Sequence, residues 1–106
     1  MAVEPGFFRT ELLVEGSSTI WPELDIPDYT ERTTATIAGW KSMNGQQGGD
    51  PVKLAQALVV LSDSGQLPLR FIGGADAVAG VEQNLATIQS QIDAHRPLSS
   101  ALSYEA

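Results

Sequence analysis

Val3-Glu4-Pro5-Gly6-Phe7-Phe8-Arg9-Thr10-Glu11-Leu12 is the stretch on which the reading of this chain turns. A few residues suited to a strand run into Pro-Gly, and a threonine follows five positions after the proline. Proline fixes its own φ and glycine tolerates unusual φ, so Pro5-Gly6 is a turn that stops the strand abruptly. Thr10, with Glu11 behind it, sits where a helix can begin, its hydroxyl free to cap or to bind.

Outward from this turn, Ala2–Glu4 is a strand too short to persist without a partner. From Val14 to Pro27 the chain reads as loop, with Gly16-Ser17-Ser18, Trp21-Pro22 and Ile26-Pro27 interspersed with acids. A connection of that length is a functional lid or a flexible segment. A helix is expected from Asp28, with Glu31 in capping-box position. Tyr29, Thr33, Ile37 and Trp40 share one of its faces, and Asn44-Gly45 ends it. Asp50 then caps a second helix that has Pro51 at its first position. Lys53–Leu61 is apolar on most sides, which predicts the most buried element.

Leu67–Ile72 alternates apolar residues with Pro68 and Arg70 and predicts a strand, at an edge because of the proline. After Gly73-Gly74 a last helix carries Val78, Val81, Leu85, Ile88 and Ile92 at three- and four-residue steps. That stripe serves either core packing or a dimer seam. The residue before Pro97 is disfavoured in helical space, so the helix is expected to end near His95, leaving residues 97–106 as a tail.

Composition excludes several classes of function. The chain has 106 residues, enough for one small domain and too few for a complete doubly wound fold. A net charge of −7 argues against nucleic acid, whose phosphates call for Lys and Arg. Seven acids stand against Arg9 in residues 1–31, a local net of −6 that leaves −1 for the rest. Such an acidic front reads as a solvated face. With no cysteine there is no disulfide, thiolate nucleophile or cysteine-based zinc site. No cluster of His and carboxylates suggests a metal, and no apolar run approaches the roughly 20 residues of a membrane span. No signal-peptide pattern opens the chain, and a cytoplasmic location is the expectation.

The run Pro5-Gly6-Phe7-Phe8-Arg9-Thr10 resembles the Pro-Gly…Thr segment after the sixth strand of short-chain dehydrogenases/reductases. The likeness continues through Gly49-Asp50-Pro51, Leu67–Phe71, Gly74-Ala75-Asp76-Ala77 and the final amphipathic helix. It spans nearly the whole chain but only the C-terminal portion of that family. The fold it implies is α/β and mostly helical, a C-terminal fragment of a Rossmann-like doubly wound fold. Its order would be strand, loop, helix, helix, strand, helix, with one or two short parallel strands.

The resemblance implies NAD or NADP as cofactor, contacted by Pro5, Gly6, Phe8 and Thr10, and a substrate lid that includes Trp21, Leu24, Ile26 and Tyr29. The family's reaction needs a tyrosine with a lysine four residues on, one helical turn away. Tyr29 has Thr33 there, Lys41 and Lys53 are preceded by Ile37 and Gly49, and Tyr104 stands near the end. No catalytic pair exists. Gly45-x-x-Gly48-Gly49 follows a helix rather than a strand and is a loop, not a dinucleotide fingerprint. Gly73-Gly74 has the right neighbours for anion binding but not the remaining glycines. His95, the sole histidine, reads as structural near a helix C-terminus.

Two functions follow as expectations. One is the lid and last-strand portion of an NAD(P)-dependent oxidoreductase, not catalytic alone and lacking its nucleotide-binding half. The other is a stand-alone, non-catalytic binding or interaction protein. An unpaired strand edge and apolar helix faces favour a homo-oligomer, a dimer through the Val78–Ile92 stripe or the Lys53–Leu61 helix.

Overall fold

The computed structural model describes residues 1–23 and 26–104. It is α/β and mostly helical: β1 (Ala2–Pro5), a 3-10 turn at Glu11–Leu13, another at Pro27–Tyr29, then α1 (Thr30–Ser42), α2 (Pro51–Asp63), β2 (Arg70–Gly73) and α3 (Ala75–Ser100). The two strands form a parallel pair in the register Ala2↔Arg70, Val3↔Phe71, Glu4↔Ile72 and Pro5↔Gly73. Arg70 ties the pair from the side, its Nε and Nη2 donating to the two carboxylate oxygens of Glu4 at 2.5 and 2.9 Å. That fork holds the Glu4 carboxyl below its ordinary range, first through the hydrogen bond and further through the guanidinium charge.

Several local expectations meet the coordinates directly. Asp50 accepts from the Val52 amide at 2.9 Å with Pro51 opening α2, and Thr10 accepts from the Leu12 amide at 3.3 Å. Elsewhere the elements differ. α1 begins at Thr30, not Asp28, because Pro27–Tyr29 winds as a separate 3-10 turn and no side chain caps the helix at Tyr29. β2 covers Arg70–Gly73 rather than Leu67–Ile72. Pro68 has no amide for a ladder, and Leu69 contributes only its carbonyl, to Ala2 at 2.8 Å. α3 does not stop near His95 but runs through Pro97 to Ser100, so residues 97–100 belong to the helix rather than to a tail. Asp93 accepts from Gln89 at 3.0 Å and from Arg96 at 2.6 Å, and these ties brace the helix on the approach to the proline.

The largest correction concerns the core. Among the described residues only Leu13, Gln47 and Gly73 are buried. α2 is not the most buried element: Leu54, Ala57, Leu58 and Leu61 are half-buried, while Val52, Val59 and Val60 face solvent. The radius of gyration is 20.4 Å, against about 13 Å for a compact chain of this length. The accessible surface is 8822 Å², against about 5,700 Å² for a compact monomer of this mass. Among the described residues three helices accompany a sheet of two strands.

Candidate functional site

The site grows from the C-terminal end of the parallel pair, the edge at which open α/β sheets receive ligands. Pro5 ends β1, and the Gly6 amide donates to the Gly73 carbonyl at 2.7 Å, one step past the ladder. The Phe7 amide then donates to Asp76 Oδ2 at 2.6 Å, tying the turn to the first turn of α3. A Cβ on Gly6 would run into that same carboxylate, so only glycine lets the two segments close. Gly74, between β2 and α3, has φ +115° and makes the reversal that aims Asp76 at the turn. The Phe7 amide is the first cause holding the Asp76 carboxyl below its ordinary range; amides of Ala77 and Asp76 itself add to it.

Phe8 pairs with Gly49 across a short parallel bridge: Gly49 donates to the Phe7 carbonyl at 3.0 Å and Arg9 to the Gly49 carbonyl at 2.9 Å. A cavity of about 250 Å³ lies between Phe8, Gly49, Lys53, Leu54, Ala57 and Phe71. The Arg9 guanidinium donates to the Gln47 carbonyl at 3.0 and 3.3 Å, which commits the one cation of the front segment to the loop. Gln47 is 3% exposed, and its side-chain Oε1 has no hydrogen-bond partner among the described residues.

The lid residues divide. Trp21 and Tyr29 line an open groove of about 510 Å³, walled by residues 19–22 on one side and by Arg32, Thr33, Thr36, Ile37 and Trp40 of α1 on the other. Ile26 is exposed and outside it; its carbonyl accepts from the Tyr29 amide at 2.8 Å. Leu24 lies outside the described residues. Trp40 joins groove to turn, its ring centroid 5.7 Å from that of Phe7. Lys41 Nζ stands 5.7 Å from the Trp21 ring and 3.3 Å from Glu15, pinning the segment before the groove to α1.

Pro5, Gly6, Phe8 and Thr10 are thus brought onto one turn, and the Thr10 hydroxyl is engaged as a cap. Asp76 stood in the sequence only as part of the Gly74–Ala77 run, with no role assigned, and Gln47 only as a loop residue. Asp76 stands 69 positions from Phe7, and Gln47 sits in a polar loop where nothing marks it for burial. Trp40 was legible as part of the Tyr29–Trp40 stripe, though not as the link to Phe7. Tested as a dinucleotide site, the turn supplies one wall only: its Gly6 and Phe7 amides are already taken, and Asp76 sets a carboxylate where a pyrophosphate would need cations. Among the described residues no group of three or more His, Cys, Asp or Glu is placed to hold a metal, and no helix is long and apolar enough to cross a membrane. Comparison with protein-family models, curated proteins and solved structures finds no match to this chain.

Proposed function

We propose that this chain is the substrate-lid and last-strand portion of a short-chain dehydrogenase/reductase-like, NAD(P)-dependent oxidoreductase, and that it does not transfer hydride alone. One observation carries the reading: the Pro5–Thr10 turn, the Gly73–Asp76 turn and the Trp21/Trp40 groove lie contiguous at one end of a parallel strand pair. In such a protein the backbone of Pro5–Phe8 and the Thr10 hydroxyl would line the nicotinamide side of NAD or NADP. Trp21, Tyr29 and Trp40 would exclude water from the substrate. The missing half would supply the phosphate-binding loop and the Tyr-Lys pair that moves the proton.

The test has two arms. Coding sequence upstream of Met1 should supply a glycine fingerprint and a Tyr-x-x-x-Lys pair; if it encodes nothing of the kind, the reading fails. The chain alone should show no saturable binding of NADH or NADPH up to millimolar, followed by the fluorescence of Trp21, Trp40 and the cofactor. Micromolar binding would instead mean a complete nucleotide pocket in this chain.

The second reading is a stand-alone, non-catalytic homo-oligomeric binding protein, favoured by the surface in excess of a compact monomer. In that case light scattering at tens of micromolar gives at least twice 11.3 kDa, and a monomer refutes it.

A further inference from the structure

From Val78 to Tyr104 every residue is exposed, so nearly all of α3 stands free of the rest of the fold. Helices draw most of their stability from packing an apolar face, and α3 also carries Gly80 and Pro97, two of the poorest helix formers. Its apolar residues are nevertheless ordered. Val78, Val81, Leu85, Ile88 and Ile92 advance by steps of three, four, three and four, and His95 takes the next position. That is an a/d heptad seam, narrower than the stripe of a helix laid on a sheet. The flanking positions Glu82, Asn84, Gln89, Gln91 and Arg96 are polar, whereas α2 is apolar on most sides. The seam therefore fits another helix rather than missing strands.

We infer that α3 pairs antiparallel with α3 of a second copy, about a two-fold axis at Ser90. In this register Ile88 faces the second copy's Ile92, Leu85 its His95 and Val81 its Ser99, each pair of numbers having the same sum, and all lie within α3. Glu82 then lies beside Arg96 of the other chain, twice by symmetry, and the amides of Gln89 and Gln91 each meet their own copy. Shifting the register by one heptad step separates those charges. Like charges never face each other, as an isologous contact requires. The uncovered surface is about 3,000 Å² per chain beyond a compact monomer, about 6,000 Å² for two copies, so it exceeds the roughly 2,000–5,000 Å² in total that obligate pairs bury and leaves ample surface for such a contact. This rests on the second reading's premise that a copy covers the exposed faces. The NADH titration addresses the first reading alone, so the two can fail separately.

The chain has no cysteine, so single introduced cysteines report without background. The full chain at 50 μM should scatter as a dimer, and Gln91→Cys should form a disulfide-linked dimer under mild oxidation while Val52→Cys, on the exposed side of α2, does not. Leu85→Glu, at a position 60% exposed, should keep its far-ultraviolet helicity yet weaken association by roughly a hundredfold or more. Glu82→Arg should cost roughly three- to tenfold, regained in the Glu82→Arg, Arg96→Glu double variant. The proposal is overturned by a monomer at 50 μM, by a Leu85→Glu protein that still dimerises, or by a dimer in which Ile88→Cys cross-links and Gln91→Cys does not, the mark of parallel pairing.

Discussion

Asp76 adds a side-chain tie between the Pro5–Phe7 turn and the start of α3, beside the Gly6–Gly73 backbone bond and the ladder. Its carboxylate takes the Phe7 amide, and that bond favours the ionised form. Because the folded carboxyl titrates below its ordinary range, the contribution is complete above the unfolded value near 3.9 and is lost as pH falls through the lowered folded value. Protection of the Phe7 amide, its exchange rate relative to the intrinsic rate at the same pH, should therefore hold down to about pH 4 and fall below it; Asp76→Ala should lower that protection at every pH, and unchanged protection there would refute the tie. Gly74 makes a separate case. A side chain at its φ of +115° is strained by about 1–3 kcal/mol, so Gly74→Ala should lower the denaturant midpoint accordingly. For Gln47 the sign reverses. Its Oε1 is a buried acceptor unsatisfied among the described residues, so Gln47→Met should be neutral or stabilising by up to about 1 kcal/mol, while a clear loss would mean the side chain has a partner.

Elements were legible in the sequence at two ends marked by a capping side chain, Thr10 and Asp50, though not at Asp28, where a 3-10 turn precedes α1. Asp50-Pro51 and Thr10 announce caps through atoms two residues away, and the coordinates place the bonds there. Where the outcome depended on distant neighbours, local rules misled. An apolar helix reads as buried only if something buries it, and α2 has one thin two-stranded sheet to lie on. Pro97 disfavours its predecessor in helical space, yet α3 runs through it to Ser100, with Gln89 and Arg96 tied to Asp93 in the turns before it. The proline still removes an amide and crowds the preceding turn, so Pro97→Ala should strengthen the end of α3 by as much as about 3 kcal/mol. Exchange protection at residues 96–100 should rise; if it does not, the proline imposes no strain there. The site was half legible for the same reason. Pro5-Gly6 and Trp21 stood out by residue type, while Asp76 and Trp40 entered it only through the fold.

At the scale of the molecule, a chain with three buried residues among those described depends on what covers the rest. Folding and association should be one event: the thermal midpoint should rise with protein concentration, and a midpoint constant over a hundredfold range would show that this open arrangement stands alone. The parallel pairing of β1 with β2 has one more consequence. Gly6 to Leu69, 64 residues, are closed into a loop by four-residue strands aligned in the same direction. Tension applied between the two chain ends would pull β1 backward and β2 forward, so the ladder, the Glu4–Arg70 fork and the Phe7–Asp76 tie bear the load together in shear instead of unzipping one at a time. In an optical trap the clasp should therefore open in a single abrupt extension, the mechanical signature of a latch rather than of a seam.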